Sequence, residues 1–249
     1  MLADPLQDEK QRRIAVLIDG DNAQPKLVEH MLAETSKYGQ ITIRRIYGDW
    51  TSPNMGGWKT KLQSHAIQPI QQFRYTIGKN ATDSAMIIDA MDILYAGVVN
   101  SFCLVSSDSD YTRLATRVRE KGFFVLGIGK KITPRAFVNA CNVFRYTENL
   151  IPKKPQQKGK KQDSTTSDPS SPDPLPLLKN AFDLAMQDDG WAPLGVLGSA
   201  LRQLDPGFDP RTYGYKQLSL LIKAKSKEFT IKGMSREGPS KAIYVKLKE

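Results

Sequence analysis

The chain has 249 residues, 40% of them hydrophobic, which excludes an intrinsically disordered protein and leaves room for one large or two modest domains. No apolar run approaches the roughly 18 residues that span a bilayer, and Met1 to Arg13 is polar where a secretory signal would be apolar, so the reading is a soluble, cytoplasmic protein with no membrane partner. The net charge of +10 is spread over both halves and points to a polyanionic partner, nucleic acid above all, because Lys and Arg that neutralise phosphates release counterions.

Taken in chain order, residues 14–146 alternate short β-branched runs with longer helical ones, the pattern of a parallel sheet wound on both faces by helices. Strands are expected at 14–18, 41–47, 67–73, 101–105, 123–128 and 143–146, with helices near 25–37, 57–65, 82–96, 110–121 and 134–140. Pro25 and Pro134 suit first-turn positions. Residues 151–172 then turn to Lys, Gln, Ser, Thr, Asp and Pro, too polar to offset chain entropy by burial, and read as a flexible linker. From 173 to 249 order returns: a helix from Leu175 to Ala185, a second from Trp191 through Leu204, a third from Tyr215 to Ala224, and a closing hairpin of Phe229–Ile231 and Ala242–Val245. Three helices and a hairpin make a small winged-helix-like α+β domain. Cys103 and Cys141 sit in or beside apolar strands and read as buried free thiols.

Acids gather at the expected strand ends. Ile14 to Ile18 closes on Asp19, Gly20, Asp21 and Asn22; Leu104-Val105 closes on Ser106, Ser107, Asp108, Ser109 and Asp110; Thr82-Asp83 opens the helix between them. In open α/β sheets, chemistry collects beyond the carboxyl ends of the strands. Carboxylates brought together there repel unless a cation joins them, and Mg²⁺ or Mn²⁺ suits hard oxygen ligands and a phosphate substrate. Asp19, Asp83, Asp108 and Asp110 are therefore the candidate catalytic and metal-binding acids, with Asp108 favoured as a ligand and Asp110 supporting a second cation or a water. Asp21 and Asn22 either cap the next helix or reach the same metal. Thr82 reads as an N-cap, which puts Asp83 in a first turn where the helix dipole also favours a carboxylate. Lys79, one loop away, supplies a cation for a bound phosphodiester. Asp89, six residues beyond Asp83, faces another side of its helix and reads as a salt-bridge partner. The chain shows no P-loop, no zinc-spaced Cys/His cluster and no Ser-His-Asp set, and Gly127 to Lys130 reads as a plain strand end.

These residues carry a resemblance. Leu17 to Asn22, Lys79 with Thr82 to Met86 and Asp89, and Leu104 to Tyr111 resemble the NYN domain, a PIN-like nuclease family that includes LabA-type and DUF88 proteins. The resemblance implies a PIN-like doubly wound fold over residues 12–150 and a divalent-metal nuclease usually acting on RNA. Its metal-binding acids fall on Asp19, Asp83 and Asp108, then Asp110, and its helix acid on Asp89. Thr82 departs from the pattern, since many members carry an aliphatic residue there. Residues 177–181, 190–194, 197–201 and 209–222 resemble the LOTUS domain, also called OST-HTH, which implies RNA binding or, in some members, a protein partner. Arg211, Tyr213, Tyr215 and Lys216 combine cations and aromatics as nucleic-acid contacts do, core packing being the alternative for the two tyrosines.

The expectation is an endoribonuclease that uses metal-activated water, its second domain holding the substrate. Two alternatives stand beside it: a non-catalytic RNA-binding adaptor of the same fold, and a metal-dependent phosphatase in which Asp19 of the Asp19-x-Asp21 pair is the nucleophile, as in haloacid-dehalogenase-like enzymes.

Overall fold

The computed structural model describes residues 12–73, 81–151, 173–235 and 241–248. Lys79, residues 152–172 of the linker expected over 151–172, and residues 236–240 of the hairpin turn lie outside them. The chain divides into two compact units, Met1–Lys153 and Lys154–Glu249.

Six parallel strands form the sheet of the first unit: β1 (Arg13–Asp19), β2 (Gln40–Gly48), β3 (Gln68–Gln71), β4 (Ser101–Val105), β5 (Phe124–Gly129) and β6 (Val143–Tyr146), in the order β3-β2-β1-β4-β5-β6. The expected doubly wound sheet is thus observed. The chain starts at the centre, winds outward through β2 and β3, then crosses back to β4 and winds outward the other way. Between β1 and β4 the winding reverses, and such a switch point opens a crevice at the strand ends.

The strands dictate which helices lie where. β1 buries six consecutive residues after the exposed Arg13, as a central strand covered on both faces must. Its side chains alternate: Ala15 and Leu17 point into a core with Tyr47, Phe102, Leu104, Val125 and Phe144, while Ile14, Val16 and Ile18 point into a second core with Ile46, Cys103, Val105, Leu126 and Ile128. The first core is covered by α3 (Ala81–Ala96), α4 (Thr112–Glu120) and α5 (Arg135–Ala140), through Met86, Ala90, Leu114, Val118, Phe137 and Val138. The second is covered by α1 (Val28–Thr35) and by Met55 and Trp58 of a 3₁₀ segment that leads into α2 (Lys59–Ser64). The helix expected over 25–37 begins as a 3₁₀ turn at Pro25–Leu27, and Pro134 sits just ahead of α5 rather than in its first turn.

Two glycines permit close approach at the strand ends. The Gly20 amide donates to the Tyr47 carbonyl at 2.9 Å, and a Cβ on Gly20 would lie 2.7 Å from that oxygen and 2.6 Å from Met55. A Cβ on Gly129 would lie 2.4 Å from the Ser106 carbonyl, so the end of β5 is glycine because β4 runs so near it. Cys103 and Cys141 are buried free thiols, and burial pushes the Cys103 thiol up to about 12.

The second unit packs α6 (Leu175–Ala185), α7 (Leu194–Leu204) and α8 (Leu218–Ala224) against an antiparallel sheet of β7 (Ala192–Pro193), β9 (Lys241–Leu247) and β8 (Phe229–Ser235), in that order. Leu178, Phe182, Leu197, Leu201, Leu221, Ile222, Phe229 and Val245 form its core. Two helix starts differ from the sequence reading. Ala192 and Pro193 pair with Val245 and Tyr244, so the second helix starts at Leu194; a separate 3₁₀ turn takes Pro210–Tyr213, so the third starts at Leu218. Among the described residues, no helix is long and apolar enough to cross a membrane.

Candidate acidic site at the strand switch point

Asp19 is the last residue of β1 and shares the parity of Ala15 and Leu17, so its side chain faces the side covered by α3 and α4. It is only 1% exposed. Four donors hold it: the Asp21 and Asn22 amides on Oδ1 at 3.1 and 3.3 Å, the Asn22 carboxamide on Oδ2 at 2.6 Å, and the Ser106 hydroxyl on Oδ2 at 2.8 Å. Burial raises the carboxyl above the ordinary aspartate range, and these hydrogen bonds oppose the rise.

Asp83 lies in the first turn of α3, where a negative charge meets the positive end of the helix dipole. The buried Tyr111 hydroxyl donates to its Oδ1 at 2.7 Å. Burial pushes the Asp83 carboxyl up, the Tyr111 bond pulls it down, and the neighbouring Asp19, Asp108 and Asp110 push it up again. Tyr111 itself is raised, first by burial and then by the surrounding acids, and so remains a donor.

Asp108 caps the 3₁₀ turn Ser109–Tyr111 by accepting the Asp110 amide at 2.9 Å, while its own amide donates to the Ser106 hydroxyl at 3.1 Å. Ser106 therefore ties Asp19 and Asp108 together. Asp83, Asp108 and Asp110 each offer a carboxylate oxygen, and these oxygens all lie within 4.8 Å of one another. Asp19 is not part of that group; it adjoins it as a buried, fully hydrogen-bonded neighbour. Asp108 thus caps the turn with one oxygen and also takes part in the cluster.

The remaining sequence candidates divide clearly. Asn22 serves Asp19. Asp21 accepts the Thr82 hydroxyl at 3.2 Å, and Thr82 lies within α3, so Thr82 links α3 to the β1 loop instead of capping the helix. Nor does Asp21 cap the next turn, whose preceding residue is Gln24. Asp89 accepts from Arg45 at 2.5 Å and from the Tyr47 hydroxyl, both on β2, which makes it a brace between α3 and the sheet. In the second unit Arg211 is clamped by Asp209, at 3.0 Å from Nε and 2.6 Å from Nη2. Tyr213 packs 5.9 Å from the Phe208 ring, Tyr215 packs partly buried against the core, and Lys216 is exposed. Sequence reasoning missed Tyr111 and Ser106. Both belong to the Ser106–Tyr111 stretch that carries Asp108 and Asp110, and the signal was a buried hydroxyl at each end of it, Ser106 just after β4 and Tyr111 closing the turn before α4.

A family model described as NYN domain matches residues 13–148, and one described as OST-HTH/LOTUS domain matches residues 171–240. Among solved structures, the chain is similar to a protein of unknown function from Vibrio parahaemolyticus, with 18% identity and a TM-score of 0.46 over 58% of this chain and 94% of that one. It is also similar to an uncharacterized protein from Nitrosomonas europaea, with 33% identity and a TM-score of 0.29 over 37% of this chain and 93% of that one. No curated protein matches the sequence.

Proposed function

This chain belongs to the NYN domain family and carries an OST-HTH/LOTUS domain after it, and on that premise we propose that it is a divalent-metal-dependent endoribonuclease whose second domain holds the RNA. The observation that carries the reading is the convergence of the Asp83, Asp108 and Asp110 oxygens within 4.8 Å. Among the described residues no Lys or Arg bonds to Asp19, Asp83 or Asp108, whose donors are amides and hydroxyls, an arrangement that suits a bound cation.

The donor set fits a hard cation. All three ligands are carboxylates, with no thiol or imidazole among them, which favours Mg²⁺ or Mn²⁺ over softer metals. Asp83, Asp108 and Asp110 would hold it, with Asp19 against them. When bound, such a cation neutralises charge on the phosphodiester and makes hydroxide available near neutral pH. The protein's own part is to keep these carboxylates charged and aimed. Tyr111 fixes one oxygen of Asp83, the Asp110 amide fixes one of Asp108, and Ser106 holds the β1 and β4 ends in register. Attack on phosphorus falls to water, because both oxygens of Asp19 are occupied and the group is buried. That geometry speaks against the phosphatase alternative, which needs Asp19 free to form an aspartyl-phosphate. Lys79 and Lys216 are assigned phosphate contacts, and the proposed compartment is the cytoplasm.

The test is cleavage of end-labelled single-stranded and structured RNA with Mn²⁺, Mg²⁺ or EDTA, comparing wild type with Asp19→Asn and Asp108→Asn. Cutting that needs metal and is lost in both variants supports the nuclease. Wild-type protein that retards RNA in a gel yet cuts none under either metal would leave the adaptor reading in its place.

A further inference from the structure

We propose that the surface shared by α3 and α4 is the path along which a single RNA strand leaves the acidic cluster. The proposal deepens the nuclease reading and rests on it. Both helices begin at the site: α3 holds Asp83 in its first turn, and α4 follows the Ser109–Tyr111 turn capped by Asp108. They touch there through Tyr111 and Asp83. They touch again far from it, where the Arg117 guanidinium lies 3.5 Å from the Tyr95 hydroxyl and the Lys121 ammonium lies 5.7 Å from the Tyr95 ring centre. Twelve residues separate Asp83 from Tyr95, about 18 Å along the helix axis. The shared surface therefore extends outward from the acids.

What the two helices present on it is complementary to a nucleic-acid strand. α3 exposes Ile88 and Tyr95, seven residues apart on one side and 62% and 64% exposed. Nothing in the first unit's cores uses either side chain. α4 and its end expose Arg113, Arg117 and Lys121 at four-residue spacing, again on one side. Arg113 has no acidic partner among the described residues. Arg117 has Glu120 at 3.6 Å, but this is an exposed pair that a phosphate can replace at little cost. Asp92 is the other acid on this face. An exposed ring and an aliphatic side chain, Tyr95 and Ile88, beside a row of cations are what a strand with bases on one side and phosphates on the other requires. A second copy of the chain fits less well, since a two-fold contact through this face would set its cations against their own like.

The path can be tested in the full chain with Asp108→Asn added to block cutting, using fluorescence anisotropy of a labelled single-stranded RNA across a range of salt. Tyr95→Ala is expected to weaken binding about tenfold, with Tyr95→Phe close to the parent because the ring is retained. Replacing Arg113 and Arg117 together by Ser is expected to lower the salt slope by about 1.4, the release expected from two single-strand phosphate contacts. Tyr95, Arg113 and Arg117 are all exposed, so circular dichroism should show the fold intact. Unchanged affinity and slope in both variants would overturn the path. So would a self-association, seen by sedimentation in the parent and lost in the variants, that accounts for the surface without RNA. If the protein with its acids intact cuts no RNA, the nuclease reading fails, while the anisotropy result still decides whether RNA runs here.

Discussion

Asp19 at the end of β1 and Asp209 ahead of the Pro210–Tyr213 turn are both buried, 1% and 3% exposed, yet the fold treats them in opposite ways. Asp209 accepts the amide and the forked guanidinium of Arg211 and so carries its counter-charge with it. Among the described residues Asp19 receives only amide, hydroxyl and carboxamide donors, and Asp83, Asp108 and Asp110 lie close by as further acids. An acid supplied with its own arginine is architecture. An acid such as Asp19, Asp83 or Asp108, held among the described residues by neutral donors, is poised for a cation from outside. Asp89, held by Arg45 and Tyr47, has the first pattern, which favours the brace read from helical spacing over the role implied by resemblance.

The sharpest way to break this comparison is to remove Asp209. Asp209→Ala removes the paired carboxylate from Arg211 and uncaps the turn, and is expected to cost the second unit about 2–3 kcal/mol in chemical denaturation. A loss under about 0.5 kcal/mol would mean that the pair is ornamental.

Tyr111→Phe probes the other side. Losing the bond to Asp83 is expected to weaken Mn²⁺ binding about tenfold, near 1.4 kcal/mol, in calorimetry, while leaving the buried ring in place. Equal affinity in the two proteins would show that the hydroxyl orients nothing.

The smallest effect is expected from Asp83→Asn in EDTA. The Asp83 carboxyl is raised in the folded state, so its contribution to stability is complete below the ordinary aspartate pKa and is lost as pH rises through the raised value. At neutral pH the substitution should thus stabilise the metal-free protein. Solvent at the half-buried carboxylate limits the gain to about 1 kcal/mol, or about 2–4 °C in Tm. Wild type should also melt higher as pH falls from neutral toward the aspartate range, with a flatter profile in the variant. A variant that melts lower than wild type in EDTA would contradict the claim of uncompensated charge.

Most of the fold was legible because a period-2 or continuous apolar run leaves few alternatives: the six strands of the first unit lie within about two residues of their expected places. The helix start at Leu194 shifted through tertiary pairing of β7 with β9, which no local pattern records, whereas the start at Leu218 follows a separate turn that Asp209 caps locally and Gly214 closes. At the site, the acids stood out by type and position. Their division into a converging trio and a buried Asp19 did not, because it depends on where Ser106, Asn22 and Tyr111 point. Arg211 and Tyr213 show the converse limit: basic and aromatic residues close to one another in sequence are, in space, bound to Asp209 and packed at a tilt against Phe208.

The central claim is that the trio is completed by a divalent cation. Its most direct test is a Mn²⁺ titration of the full chain followed by the electron paramagnetic resonance signal of the free ion, with Asp83→Asn and Asp108→Asn alongside. The account predicts saturable uptake by wild type that falls at least tenfold in either variant. Wild type that leaves the free-ion signal unchanged, or variants that bind as well as wild type, would contradict it.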